Sequence, residues 1–260
     1  IKEKGAVAPG YDADLAVFDD LEHFNCVAVF KRGKCVAENG KKLFSDRGSV
    51  PVAVKNTVRV APVTPDKFTI KLKGSRARVI GLRRNTLVTQ KLVEEVESRD
   101  GDVCLEGSDL LRLAVVERHF ASGRMGLGLV KGYGLKGGAA ATTVSHDSHN
   151  IIVIGDNKED MAAAVEELKN IGGGMTLVRG GKAQSVPLDI AGLMSSAPAA
   201  KHVELSAKLY EAAREAGVYE GIEPFMTLSF LALAVIPELR LTDRGLFDVN
   251  DFCITSLDAE

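Results

Sequence analysis

The densest run of side chains able to hold, share or move a proton is His146-Asp147-Ser148-His149-Asn150. An imidazole changes charge near neutral pH, so two of them three residues apart are candidates for general acid–base work. Asp147, between them, is expected to accept one imidazole N–H, which would fix the tautomer and raise its basicity. The pentapeptide leads straight into the apolar run Ile151-Ile152-Val153-Ile154-Gly155, and a polar loop at the mouth of a rigid strand is where a scaffold presents chemistry. It reads either as a lid or outer layer of an active site, or as a turn whose His and Asn side chains satisfy backbone groups at a strand entry. An independent zinc site from His146 and His149 lacks further ligands nearby.

The remaining candidates are glycines and hydroxyls. Gly132 and Gly134 sit in a glycine-rich stretch, 126–138, that can approach a ligand or a neighbouring backbone closely and pack beside the His loop. It lacks the Gly-Lys-Ser or Gly-Lys-Thr of a P-loop. Met194 and Ser195 are candidates to touch a substrate, although a helix N-cap just before Ala197-Pro198 explains the serines equally well. Gly172-Gly173-Gly174 follows a helical pattern rather than opening one, so it reads as a C-cap and turn, not a phosphate cradle. Asp12 and Asp14 flank an apolar turn and read as structural.

The elements that must position these residues are partly explicit. Asn157 is an N-cap with Asp160 three residues on, and Met161, Ala164, Val165, Leu168 and Ile171 follow one buried face, predicting a helix over Lys158–Ile171 that stops at Gly172. The apolar run before it and Gly174–Arg179 after it read as strands, giving a βαβ-like unit. Two more helices are expected, over Ala199–Ala216 and from Pro224 through Leu233. Strands are expected at Phe68–Leu72, Ala77–Leu82, Leu87–Val93 and Leu110–Val116, in a mainly antiparallel region. Residues 1–50 form a small all-β block with a hairpin turning at Lys31-Arg32-Gly33, too poor in apolar residues to stand alone. Pro51, Pro62 and Pro65 mark 51–66 as an extended connector and candidate domain boundary, leaving 67–260 as a mixed α/β domain.

Composition narrows the class. The 260 residues are 45% hydrophobic and 26% charged, with a mean hydropathy of +0.04, which is that of a globular protein rather than a disordered one. A formal net charge of −2 gives no electrostatic footprint for nucleic acid or an anionic membrane, so neither partner is expected. No apolar run reaches the roughly 18 residues needed to span a bilayer and no signal peptide is evident, so a cytoplasmic location is expected. The four cysteines form no C-x-x-C pair and read as buried, reduced thiols. Ile1 in place of a methionine reads as an excised fragment or as the ordered part of a longer chain.

Two sets of segments carry a family resemblance. Ala8-Pro9-Gly10-Tyr11-Asp12-Ala13-Asp14-Leu15 is similar to the segment by which amidohydrolases leave their (β/α)8 barrel and re-enter the small β-sandwich beside it, and residues 33–40 resemble the hairpin closing that sandwich. Residues 132–136, 144–155, 171–174, 190–195, 224–231 and 236–243 resemble, in order and spacing, the extra C-terminal domain of adenine deaminases, so the resemblance covers almost the whole chain. It implies an α+β chain: a remnant of the amidohydrolase β-sandwich, then a mixed α/β C-terminal domain. It implies, for the parent enzyme, hydrolytic deamination of adenine to hypoxanthine and ammonia at a manganese or iron centre, and a homo-oligomer.

The chain departs from the whole enzyme. Its five histidines include no H-x-H motif, and an eightfold barrel would need about 250 further residues. No metal ligand is therefore assigned to this chain, the N-terminal barrel is an expected partner, and the fragment alone is expected to be inactive. With the resemblance, His146, Asp147, Ser148, His149 and Asn150 are favoured as a lid touching purine or metal-bound solvent. Gly132, Gly134, Met194 and Ser195 are carried as substrate-binding candidates. The alternatives are a non-catalytic module for oligomerisation or regulatory purine binding, and, less favoured, a different amidohydrolase.

Overall fold

A computed structural model describes residues 2–45 and 49–259, which fall into two compact units, 1–49 and 50–260. The first is a four-stranded antiparallel sheet of β1 (Leu15–Phe18), β2 (Cys26–Lys31), β3 (Lys34–Glu38) and β4 (Lys41–Lys42), paired in that order. Gly33, at a φ of +75°, makes the expected tight turn between β2 and β3. Asp12 and Asp14 are structural here: Lys4 bonds both, and Asp14 also accepts from Lys31 and from the Arg32 N–H at 2.8 Å. Those bonds hold the Asp14 carboxyl well below the usual range.

The second unit holds β5 (Arg76–Gly81), β6 (Gln90–Glu95), β7 (Ser98–Arg99), β8 (Asp102–Val103), β9 (Leu110–Val116), β10 (Met125–Lys131), β11 (Ala139–Thr142), β12 (Ile151–Gly155), β13 (Gly174–Arg179), β14 (Lys182–Pro187), β15 (Leu239–Thr242), β16 (Gly245–Asp248) and β17 (Cys253–Ile254). Its helices are α1 (Lys158–Asn170), α2 (Ala199–Glu215) and α3 (Pro224–Leu231). Eight strands form one sheet, ordered β14-β13-β11-β12-β9-β10-β5-β6 and antiparallel except between β10 and β5.

Helices cover both faces of this sheet, which is why β9 and β12 read as continuous apolar runs rather than alternating ones. Leu111, Leu113, Val115, Ile152 and Ile154 pack on the side of α2 and α3, whereas Ala114, Val116, Ile151 and Val153 pack on the side of α1. Asn157 caps α1 by accepting from the Asp160 N–H at 2.8 Å. The βαβ-like unit is present with one strand inserted: β11 lies between β12 and β13, antiparallel to both.

Two expectations are corrected. Phe68–Leu72 is not a strand; Pro65–Phe68 is a 3₁₀ turn, and Phe68 and Ile70 are buried two residues apart, which imitates strand alternation. Met125–Lys131, most of it in the glycine-rich stretch 126–138, is a central strand that was not foreseen, and its glycines do approach a neighbouring backbone: a Cβ on Gly126 would lie 1.9 Å from the Thr242 carbonyl oxygen. The cysteines are free, but none is buried: Cys26 and Cys253 are exposed and Cys35 and Cys104 half-buried. Within the segment read as a connector, Val58 and Val60 are buried against the α1 side of the sheet.

Candidate functional site

Register places the His loop. Val116, the last residue of β9, pairs with Ile151, the first of β12, so Glu117-Arg118-His119 leaves the sheet beside residues 145–150. Across this junction the Arg118 N–H donates to the Asn150 side-chain oxygen at 3.3 Å, the Arg118 Nε to the His149 carbonyl, and the Arg118 Nη2 to the Ala191 carbonyl at 3.2 Å. His119 Nε2 lies 2.7 Å from the Ser148 carbonyl and donates to it. Glu117 closes the turn beyond by accepting from the backbone N–H groups of His119, Phe120 and Ser122 and from the Ser122 hydroxyl. Burial works to raise the Glu117 carboxyl, but these bonds outweigh it and hold it down at about 2.

Within the loop, the Ser145 N–H donates to His149 Nδ1 at 3.3 Å, so the ring is a neutral imidazole with its proton on Nε2. Burial, then the neighbouring His146 and Arg118, push its pKa down. The His146 ring lies between His149 and Phe230, with centroids 5.5 and 5.0 Å away, and the His146 backbone N–H donates to the Ser229 carbonyl at 2.8 Å. His146 and His149 are half-buried, Asp147 and Ser148 exposed, and Asn150 buried. The Ser145 hydroxyl is buried and has no partner among the described residues. Asp147 does not orient an imidazole as expected: its carboxylate makes no hydrogen bond among the described residues, and the Ser145 N–H rather than a carboxylate fixes the His149 ring.

Arg118 is 2% exposed and, among the described residues, has no carboxylate partner. Burial pushes its guanidinium down to about 10. It rests against Gly192, where a Cβ would come 2.8 Å from Nη1. The turn around Gly192, which carries Met194 and Ser195, is thereby joined to the His loop; Met194 is exposed and Ser195 half-buried. The serines do not cap α2: Pro198 precedes the helix without a side-chain bond, and Ser196 is held by Asp189 instead.

Gly132 and Gly134 do not join this cluster. Gly132 follows Lys131, which pairs with Leu110 at the start of β9, so it lies at the far end of the strand, roughly 20 Å away at ~3.3 Å per residue. Gly134 is required by packing, since a Cβ there would sit 2.5 Å from the Gly217 carbonyl oxygen. That far end also holds a cavity of about 960 Å³, lined by Asp102, Arg112, Gly134, Lys136, Asp156 and Lys158 among others. Three of its acids are already engaged: Asp102 with Arg112 and Lys158, Asp109 with the Gly132 N–H and the Tyr219 hydroxyl, Asp156 with the N–H groups of Gly137 and Gly138. The His loop is the stronger candidate, since its imidazoles keep ring nitrogens uncommitted among the described residues.

Among the described residues no three His, Cys, Asp or Glu side chains are grouped to hold a metal ion, and His149 Nδ1 is already an acceptor. The described residues thus offer no ready set of ligands for manganese or iron. Among the described residues no helix is long and apolar enough to cross a membrane. Arg118, His119, Ser145 and Phe230 escape the sequence reading; the only signal for the first two is their position directly after the run Leu110–Val116.

The chain is similar to curated proteins along nearly all of its length. It is 51% identical over 252 residues to Adenine deaminase 2 of Carboxydothermus hydrogenoformans, covering 96% of this chain and 44% of that protein. It is 48% identical over 260 residues to an adenine deaminase of Nitratidesulfovibrio vulgaris strain DP4, covering 99% and 45%. An adenine deaminase of Methanothrix thermoacetophila is 46% identical over 254 residues, covering 97% and 44%. The chain thus spans under half the length of these relatives. Residues 86–253 match the model of the adenine deaminase C-terminal domain. That match takes in β9, the His loop and all three helices, and the chain belongs to the adenine deaminase C-terminal domain family.

Proposed function

We propose that this chain is the C-terminal part of an adenine deaminase, a hydrolase converting adenine and water to hypoxanthine and ammonia, and that its 145–150 loop covers the active site. The manganese or iron centre is held by the remaining part of the protein, and the whole is a cytoplasmic homo-oligomer. The observation that carries this reading is the neutral His149, whose Nδ1 is tied to the Ser145 N–H and whose Nε2–H has no acceptor among the described residues. A neutral imidazole held in one tautomer is suited to a heteroaromatic base, which offers ring nitrogens as acceptors. Phe120, just after His119, Met194, in the turn joined to the loop through Arg118, and Met226, in the helix that carries Phe230, are exposed and supply the apolar body of such a surface. The same relatives, each more than twice as long as the region matched, support the presence of further domains in the parent.

Adenine turnover and metal content, measured side by side on the 260-residue chain and on the full-length parent, test this. Turnover and bound metal are expected in the parent alone. Turnover by the isolated chain would refute the division of labour, and a parent that leaves adenine untouched would refute the substrate.

A further inference from the structure

We infer that Arg118 and His119, the two residues following Glu117 at the exit of β9, are positioning residues for the 145–150 loop. They act through its main chain rather than on a ligand. Four contacts converge from this short stretch: two on His149 and Asn150 from Arg118, one on Ser148 from His119, and one that ties Arg118 across to Ala191. Consecutive carbonyls, those of Ser148 and His149, are thus fixed from one side, and the loop is joined to the 190–194 turn by a single guanidinium. The planar fork of Arg is what allows this, because Nε and Nη2 donate in fixed, diverging directions that an ammonium does not reproduce.

The arrangement is costly unless position is the gain. A buried cation without a carboxylate loses hydration that neutral carbonyls only partly replace. The residue held, His149, has a φ of +51°, in the left-handed region that non-glycine residues visit uncommonly, histidine, asparagine and aspartate more than the rest. A loop pinned in that conformation presents its rings in one geometry. The charged and titratable groups around His149 are His146, Arg118, Asp147 and His119; burial leads, and the cations oppose its protonation.

The functional consequence rests on the reading of this loop as an active-site cover, whereas the positioning itself can be tested apart from it. In the 260-residue chain, Arg118→Gln and His119→Ala should speed amide hydrogen exchange at 145–150 by about tenfold or more, leaving the β15–β16 hairpin unchanged. His119→Gln, which keeps a donor for the Ser148 carbonyl, should restore protection. Arg118→Gln should also raise the pH at which the His149 ring titrates by NMR, since one opposing cation is gone. Because Arg118 is buried and its replacement also disturbs packing, the half-exposed His119 pair carries the test by itself. Unchanged exchange in His119→Ala, or failure of His119→Gln to restore it, overturns the inference. If the loop loosens as expected while kcat in the full-length parent stays put, the positioning stands and the active-site reading fails.

Discussion

Replacing His149 in the full-length parent is expected to lower adenine turnover by about a hundredfold or more, the usual range when a positioned imidazole leaves a reacting site, with metal content unchanged. The alanine variant carries a second effect, since His149 has a φ of +51° and alanine is strained there by about 1 kcal/mol. His149→Asn is the cleaner replacement: asparagine tolerates that backbone and keeps an acceptor near the Ser145 N–H, but it presents no imidazole. His146→Ala, which removes the ring between His149 and Phe230, should lose turnover with less effect on melting. The pH profile adds a sign. Protonating His149 would destroy the Nδ1 acceptor, and its pKa lies below the ordinary imidazole value because of burial and the cations around it. Its contribution should therefore hold through neutrality and be lost only on the acid side.

Gly173→Ala should destabilise the second unit by about 2–5 kcal/mol, combining a left-handed backbone with overpacking. Gly173 has a φ of +105°, and a Cβ on it would come 2.5 Å from the Gly192 Cα and 3.0 Å from Thr143 Oγ1. The obstruction is backbone, so no side chain can swing aside. Thr143 donates to the Gly192 carbonyl at 2.6 Å and receives the Gly174 N–H at 2.8 Å, so displacing Gly192 also moves the seat of Arg118. Urea denaturation should show a lowered midpoint, and the His loop should lose exchange protection before the strands do. A midpoint within experimental error of the wild type would mean that the 143–173–192 junction is looser than these distances state.

How far the sequence discloses this can be judged element by element. α1 was legible because its cap, its acidic first turn and its 3.6-residue stripe all agree. β12 was legible because a strand covered on both faces must be apolar throughout. β10 was not, because Gly126 and Gly128 make room for β15 and β16, a long-range demand that locally resembles a loop. Phe68–Leu72 failed for the opposite reason: Phe68 and Ile70 carry the alternation of a strand while Pro65 starts a 3₁₀ turn.

In the candidate site, the polar cluster at 146–150 was visible as residue types. What holds it was not, since Arg118 and His119 reach it only through the Val116–Ile151 register. Gly132 and Gly134 looked close to the cluster in sequence, but the strand between carries them to the far end of the sheet. Asp147 looked like the natural partner of an imidazole, and a backbone N–H proved to hold that place.

The central claim is that the 145–150 loop faces the substrate of the whole protein, and hydrogen–deuterium exchange on the full-length parent tests it most directly. Exchange should be compared with and without a slowly reacting purine analogue at saturating concentration. The account expects new protection at 145–150 and at 118–122, with the far-end cavity around Asp102 and Lys136 unchanged. Protection confined to the rest of the parent, with the His loop exchanging as before, would contradict it and leave this domain a role in assembly or regulation.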